Sequence, residues 1–538
     1  MKQFKDPIYG YIEVESEYIP IINSAEFQRL RNIRQTSYVS LYPSALHNRF
    51  VHSLGVFHLG KKAILHIRKN SNETVNHLVD TSFGWKCIKE TFILACLLHD
   101  VGHAPFSHTG EDFYEQSTIF EQELDDLIHS SQLNEDLIKK GYGKPHEAMS
   151  AIVGIMLLEK NGFAFNKEFF ARAIMGTEYS STEEKYQILN GLISILNGNL
   201  IDVDKLDYLM RDAYVTGYST MKIDYERLLS GYIIVKVKKG DKKEVYKSAF
   251  KKGALSIIEN ITYANDLERR WIQNNPTIIY DSKLIEQAII KYNEYMQISY
   301  KAAKKYKNVF NKVAISKVGY PSEEHMALRL LSDDDIVSYL KNIDWSIVGQ
   351  HYFSRNERYK PLWKSEAEYK RKVKNVIGPD QLEKFVDIVR TSIKETKLFF
   401  INIDEEEKMM TQQTGEAEPN KNKYETSLKL LKFFEKFAEV NKLDFKFAIA
   451  RVNTFSSNRQ KMEKYPIYIS FAENDTATFK ELMYEKETSI SSVNENKMSD
   501  LHLFYVFTSK ENLHKARENG KEITKLLTDF IHAYDKWE

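Results

Sequence analysis

The chain has 538 residues, 76 Lys and Arg against 75 Asp and Glu, a net charge of +1 and 42% hydrophobic residues. That length holds roughly three to four domain-sized units, or one large core with an appendage. The balanced charge excludes a protein that coats nucleic acid through a broad basic face. Two cysteines, Cys87 and Cys96, cannot build a disulfide framework, so a reducing cytoplasm is the expected setting.

The opening MKQFKDPIYG has no apolar signal core, so export is not expected. From residue 24 to 300 the apolar residues recur mostly at helical spacing, in AEFQRLRNI, ETFILACLLHD, HEAMSAIVGIMLLEK and KLDYLMRDAYV, which predicts a helical bundle. Ten of the 15 histidines fall in the first 146 residues, where an even spread would put about four. A metal or proton-transfer site in the N-terminal part is the economical reading.

The string HNRFVHSLG, residues 47–55, offers His52 near the start of a helix. In ETFILACLLHDVGHAPFSH, residues 90–108, an apolar helix delivers His99 and Asp100 at its polar end, with Pro105 stopping the helix soon after. Its longest apolar run, residues 92–98, is far short of the ~20 residues a membrane span needs. His103 lies four residues after His99, on the same helical face, and Gly102 leaves room for close approach. An imidazole beside a carboxylate suits Mn, Fe, Zn or Mg better than a sulfur-rich structural site does. Further ligands must come from elsewhere, and LIDVDKLDYLMRDAYVTG, residues 200–217, offers Asp204. On that helix Asp204, Lys205, Tyr208, Arg211 and Asp212 cluster toward one side, a polar stripe that is costly in a bundle unless it lines a site.

Residues 232–248, YIIVKVKKGDKKEVYKS, read as a β-hairpin around Lys-Gly-Asp. Residues 284–360 look helical and polar, and residues 404–425 carry too few large apolar groups to order readily, so they read as a mobile loop or linker. Beyond them KFAIARV, YPIYISF and LHLFYVF read as three strands among helices at about 426–440 and 511–536. The fold class expected is mainly α: a helical bundle over residues 1–300, a helical extension over 301–403, the loop at 404–425 and an α+β unit over 426–538. There is no internal repeat and no Walker or Rossmann glycine loop.

The strings RFVHSLGV, LLHDVGHAPFSH and IDVDKLDYLMRD resemble the HD-domain phosphohydrolase superfamily, whose pattern is His, then His-Asp, then Asp. They are most similar to its deoxynucleoside triphosphate triphosphohydrolase branch, over roughly residues 24–275. The resemblance implies an HD-domain helical bundle and a divalent metal held by His52, His99, Asp100 and Asp204. It implies that His103, His108, Glu111 and His146 surround the scissile phosphate, with Glu111 standing where aspartate is usual. Gln35, Arg49, Lys205, Tyr208 and Asp212 match positions that contact sugar and phosphates. The chain departs from the branch at Ala264 and Ile272, where it usually has Arg and Tyr, and at Asn274 and Asn275 in place of a His-Lys pair, leaving Arg269 or Arg270 as other phosphate ligands. The stretch between Gln35 and His47 is about one residue shorter than in the vertebrate member of that branch and lacks its glycine run.

The leading expectation is hydrolysis of dNTPs to deoxynucleosides and inorganic triphosphate. The alternatives are an HD phosphodiesterase or nuclease on cyclic nucleotides or single-stranded nucleic acid, and a nucleotide-sensing subunit of a defence system with little turnover. A strand-tracking groove would show basic residues interleaved with aromatic ones, which the chain lacks, so nucleic acid is not the favoured partner. The resemblance also implies a homo-oligomer and leaves room for a nucleotide activator, and the short apolar runs speak against a membrane partner.

Overall fold

The computed structural model describes residues 1–111, 124–140, 144–218, 222–239, 243–299, 331–343, 346–401, 418–452, 461–462, 464–472, 475–484 and 503–534. Its longer helices include α1 (Arg49–Asn70), α2 (Trp85–Leu98), α3 (Pro145–Lys160), α4 (Lys167–Met175), α5 (Glu184–Leu196), α6 (Val203–Thr216), α7 (Leu255–Glu268), α8 (Pro379–Thr396), α9 (Glu418–Asn441) and α10 (Ile523–Ala533). Its strands are β1 (Lys2–Asp6), β2 (Gly10–Val14), β3 (Tyr232–Lys239), β4 (Lys243–Lys251), β5 (Lys360–Pro361), β6 (Phe400–Ile401), β7 (Phe447–Arg451), β8 (Tyr468–Ala472), β9 (Asp475–Thr478) and β10 (Phe504–Thr508). The fold is mainly helical, as expected. The chain divides into two compact units: residues 1–269, 289–339 and 456–491 form the first, and residues 270–288, 340–455 and 492–538 the second.

In the first unit α2 is buried nearly all round, with Phe92, Ile93, Leu94, Ala95, Cys96, Leu97 and Leu98 each below 5% exposed. A helix apolar on every side belongs at the centre of a bundle, and α1, α3 and α4 pack on it. The helices that carry the site start at side-chain caps. Asn48 accepts from the Val51 N–H at 3.2 Å ahead of α1, and Asp202 accepts from the Lys205 N–H at 2.6 Å ahead of α6. These bonds satisfy amides that have no partner within the helix.

Two features lay outside the expectations. Residues 2–14 form an antiparallel hairpin, β1 with β2, turning at Gly10 with φ +76°. Of the three C-terminal strands, β8 does not join the other two. It pairs in parallel with β4, Phe250 opposite Ile469, and β9 follows it to give the order β3-β4-β8-β9. The outer side of β4 presents unpaired backbone groups that a further strand satisfies. The expected hairpin is present, although its Lys-Gly-Asp turn is partly outside the described residues.

The second unit is an α+β layer in which the antiparallel sheet β5-β10-β7-β6 is covered by α8, α9 and α10. Trp363, 1% exposed, donates its indole N–H to the Phe504 carbonyl at 2.9 Å. Residues 404–417 of the expected loop lie outside the described residues, and α9 begins at Glu418. No helix among the described residues is long and apolar enough to cross a membrane.

Candidate metal and phosphohydrolase site

All 13 residues picked from the sequence fall in the first unit. Helix α2 ends at Leu98, so His99 to His103 run through tight turns closed by Val101 N–H to Leu98 C=O (3.1 Å) and His103 N–H to Asp100 C=O (3.0 Å). His103 therefore does not continue the helical face of His99, as spacing alone suggested. Instead its Nε2 stands 3.3 Å from Asp100 Oδ1. The turn is forced by packing at Gly102, whose amide donates to Ser150 Oγ at 2.9 Å and where a Cβ would come 2.3 Å from the Ser150 nitrogen.

His52 projects from the first turn of α1 and is completely buried. Its Nδ1 donates to Asp207 Oδ2 at 2.7 Å, which aims Nε2 at the convergence point, 2.9 Å from Asp204 Oδ1, 3.6 Å from Asp100 Oδ2 and 3.3 Å from His99 Nε2. His99 donates Nδ1–H to the Cys96 carbonyl at 3.0 Å, so its Nε2 lone pair faces the same point, 3.7 Å from Asp204 and 3.5 Å from Asp100. Two imidazole nitrogens and two carboxylates thus converge, and the Nδ1 partner of each ring sets the tautomer a metal ligand requires. Burial alone would lower the His52 pKa, but hydrogen bonds to Asp204 and Asp207 and the charges of Asp207 and Asp100 raise it to about 10. The carboxylates draw a cation to His52 Nε2, which a divalent ion satisfies in place of a proton. The donor set fits the implied metal.

A second cluster adjoins the first. Glu111 lies within 3.2 Å of His103 Nδ1, 2.7 Å of His108 Nδ1 and 2.8 Å of His146 Nδ1. The rings of His103 and His146 stack at 4.1 Å. Burial would raise the Glu111 pKa, yet the His108 charge and contacts with His108 and His146 hold it far below the usual carboxylate range. Burial, reinforced by the Arg49 and His146 charges, keeps His103 well below the ordinary histidine pKa. His108 is the exposed member, 62% accessible at its side chain. Among the described residues these four, and His52 with His99 and Asp100, are the two groups whose ligand atoms come within 4.8 Å of one another. The first cluster is the better metal seat, because the Nδ1 atoms of His52 and His99 are held by Asp207 and the Cys96 carbonyl and leave both Nε2 atoms at the convergence point with the carboxylates.

Arg49 donates Nη1–H to Asp100 Oδ2 at 2.7 Å and Nε–H to Ser107 Oγ at 2.8 Å. Lys205 turns back to Asp202 and the Gly198 carbonyl. Tyr208 is held protonated, its pKa pushed well up by burial and then by Glu268, Asp204, Asp202 and Asp212. Asp212 lies 2.7 Å from His47, and Gln35 is 8% exposed. Ala264 is core at 3% exposed, so it supplies nothing to a ligand.

Several residues with a hand in the site escaped the sequence reading. Asp207, 0% exposed, receives His52, both Arg211 Nε and Nη2 at 2.9 Å, and the Tyr9 hydroxyl at 2.6 Å, while Arg211 Nη1 reaches Asp6 at 2.9 Å. The α6 spacing from Asp204 to Asp207 and from Asp207 to Arg211 carries that signal, whereas nothing in the sequence ties Asp6 and Tyr9 to it. Asp333, 4% exposed, accepts from the Phe106 amide at 2.6 Å and the Arg34 amide at 3.0 Å. It thereby secures a turn with φ +56° at Phe106 and +55° at Ser107, which places Ser107 against Arg49. Lys461 is half-buried and its pKa is lowered, first by burial and then by the charges of Arg269, Lys205 and Lys144. Arg269, Lys205 and Lys144 thus lie within electrostatic reach of Lys461, and Lys144 also within that of Asp204 and Glu111.

Residues 49–180 match the family model described as HD domain. The chain is similar to the uncharacterized protein MG461 of Mycoplasma genitalium, 30% identical over 261 residues that make up 48% of this chain and 52% of that one. It is similar to the deoxynucleoside triphosphate triphosphohydrolase SAMHD1 of Mus musculus, 28% identical over 395 residues, 68% of this chain and 54% of that one. The SAMHD1 homolog of Dictyostelium discoideum is 33% identical over 233 residues, 42% of this chain and 39% of that one. The chain spans about half the length of the first two of these curated relatives and 39% of the third.

Proposed function

For a chain that carries an HD domain and is related in sequence to deoxynucleoside triphosphate triphosphohydrolases, we propose metal-dependent phosphohydrolysis, with dNTPs cleaved to deoxynucleoside and inorganic triphosphate. The observation that carries the reading is the coupling of the two clusters through one buried ring: His103 stands between Asp100 (3.3 Å) and Glu111 (3.2 Å). A metal position and a proton-handling histidine group then share one reaction centre.

In this reading His52, His99, Asp100 and Asp204 hold the divalent cation, Mn, Mg, Fe or Zn, which when bound lowers the pKa of water and polarises phosphoryl oxygen. Arg49, beside Asp100, offers a planar donor pair to a phosphate oxygen. Lys144, Lys205, Arg269 and Lys461 supply the charge for the rest of the triphosphate, in place of the Arg and His-Lys that the chain lacks. His108, at the exposed edge, hands the Nε2 proton of its imidazolium form to the departing 5′-oxygen; burial lowers its pKa, and the ionised Glu111 beside its Nδ1 opposes that fall and favours the proton-bearing ring. Tyr208 and Asp212 border the sugar. A homo-oligomer, a nucleotide activator and a cytoplasmic dNTP pool belong to the same proposal.

The test is product analysis: purified protein with Mn or Mg and each dNTP, products resolved by ion exchange. Deoxynucleoside with triphosphate is the expected pair, and monophosphate or orthophosphate would overturn the reaction type. A phosphodiesterase or nuclease is the second reading, because Ala264 and Ile272 are core residues, 3% and 1% exposed, rather than nucleotide ligands. Turnover of cyclic nucleotides or single-stranded nucleic acid without turnover of dNTPs would establish it. Tight nucleotide binding without turnover of either class would instead favour a sensing subunit.

A further inference from the structure

The short helix His108–Glu111 follows directly on the left-handed turn at Phe106 and Ser107, and it returns two side chains toward His103 while His146 enters from the first turn of α3. Three imidazoles and one carboxylate meet there. Glu111 Oε1 stands 3.2 Å from His103 Nδ1 and 2.7 Å from His108 Nδ1, and Oε2 stands 2.8 Å from His146 Nδ1. These contacts are close but out of line. Glu111 Oε1, His146 Nδ1 and both nitrogens of His103 are buried without a hydrogen-bond partner.

Buried polar atoms are nearly always paired, so nitrogens that crowd a carboxylate without bonding to it are aimed at a shared point between them. A proton joins one donor to one acceptor and cannot serve them all. A metal ion takes a lone pair from each at once. Four donors about 2.0–2.1 Å from one ion stand roughly 3.3 Å apart at the corners of a tetrahedron, so a withdrawal of the Glu111 carboxylate by about half an ångström opens the seat. The donor set selects the ion, because imidazole suits zinc, copper, iron and nickel while carboxylate suits magnesium and manganese. Three imidazoles with one carboxylate make a four-coordinate zinc site, and the seat of His52, His99, Asp100 and Asp204 is the harder of the two. His103 Nε2 lies 3.3 Å from Asp100 Oδ1, the kind of carboxylate partner that a ligating imidazole keeps on its other nitrogen. The exposed His108 gives the ion a way in from solvent.

We propose that His103, His108, Glu111 and His146 form a second metal seat, which takes zinc and switches the reaction centre off. The seat stands on donor geometry alone, whereas the inhibition rests on the function proposed above. Zinc on the Nδ1 lone pair of His108 occupies the place of the second ring proton, so the imidazolium cannot form, and the N–H that remains is a far weaker acid. The same ion draws Glu111 away from the ring. No proton then reaches the departing oxygen, although manganese stays in the first seat.

Zinc is counted by equilibrium dialysis and elemental analysis on tag-free protein whose first seat is removed by His99→Ala or, where that variant does not fold, by Asp204→Ala. One zinc per chain should remain. Adding His146→Gln or Glu111→Gln should weaken it by at least ~10-fold, the loss that even an outer partner of a metal ligand brings. Zinc absent from both first-seat variants, or held as tightly after His146→Gln and Glu111→Gln, overturns the seat. Inhibition is read on the wild type with a dNTP and manganese in large excess over zinc. Turnover should fall at least ~10-fold as one zinc binds, while bound manganese, followed by electron paramagnetic resonance, stays at one ion per chain. Inhibition that releases manganese ion for ion, or full turnover with the second seat occupied, overturns the switch. If no dNTP is cleaved even without zinc, the proposed activity is what fails, and the dialysis counts decide the seat by themselves.

Discussion

Asp207→Asn is the most informative perturbation of the metal centre, because Asp207 touches no metal position yet holds a ring that does. The carboxylate is fully buried and receives four donors: His52 Nδ1 at 2.7 Å, Arg211 Nε and Nη2 at 2.9 Å each, and the Tyr9 hydroxyl at 2.6 Å. Burial pushes its pKa up, but the Arg211 charge and the hydrogen bonds from His52 and Arg211 hold it below the ordinary value. An amide keeps the shape and removes the charge. If its NH2 faces His52, Nδ1 must accept, so the ring proton moves to Nε2 and blocks the ligand position. If its oxygen faces His52, the NH2 confronts the Arg211 fork and the Tyr9 hydroxyl. Loss of an orienting partner typically lowers metal affinity 10- to 100-fold, or about 1.4–2.8 kcal/mol. Removing one partner of a buried pair costs about 3–5 kcal/mol of folding stability, toward the lower end here because Arg211 keeps Asp6 at 2.9 Å. Manganese calorimetry and urea unfolding of the metal-free protein measure the two effects. The control Tyr9→Phe removes one neutral donor, costs about 1 kcal/mol and leaves metal affinity alone. Asp207→Asn with wild-type manganese affinity would refute the idea that this carboxylate sets the His52 tautomer.

Three further outcomes follow from the same geometry. His99→Ala and Asp100→Asn should each abolish stoichiometric manganese binding, whereas His146→Gln should bind one ion per chain and lose activity; an ion retained in His99→Ala but lost in His146→Gln would move the metal to the Glu111 cluster. Gly55→Ala puts a Cβ 1.9 Å from Asp207 Oδ1 and 2.7 Å from Arg211 Nη2, so it should cost about 1–3 kcal/mol or more and weaken metal binding as well. His58 and His351 are both depressed to about 4, by burial first and then by Lys62 and by Arg358 respectively, so between the unfolded value of 6.5 and pH 4 the unfolded chain binds more protons. Their contribution is present above pH 6.5 and lost as pH falls through 4; the urea midpoint should drop across that window, and less steeply in His58→Gln.

How far the sequence reveals this site depends on where each residue gets its neighbours. His52, His99, Asp100 and Asp204 stand in three strings whose chemistry is local, and their convergence at 2.9 to 3.7 Å needs only that α1, α2 and α6 pack together. His103 was legible as a residue and misread in geometry, since the spacing of four assumed a helix that ends at Leu98 once Gly102 meets Ser150. Arg211 was visible on the polar stripe, but its burial against Asp207 and Asp6 depends on a hairpin some 200 residues earlier in the chain. Asp333 has no local signature at all, because two backbone amides of other segments define its role. The same limit applies to β8. Alternation marks a strand, yet the identity of its partner follows from which edge is left open, and that is a property of the folded sheet.

The carboxylates around His52 also make a statement about metal and protons together. In the metal-free site the ring carries a proton on each nitrogen: Nδ1–H goes to Asp207 and Nε2–H to Asp204 at 2.9 Å, with the His99 lone pair 3.3 Å away. With a pKa near 10 that state is full at neutral pH. A divalent ion seated between Asp100, Asp204 and the two Nε2 atoms must expel the Nε2 proton, because the ligand is the deprotonated nitrogen. Binding should therefore release about one proton at pH 7, and the apparent affinity should climb about tenfold per pH unit until pH approaches the His52 value. Manganese calorimetry in buffers of different ionisation enthalpy reads the proton directly. Heats that do not depend on the buffer would mean that His52 is already neutral in the metal-free protein, and the carboxylates around it would then be arranged for the metal alone.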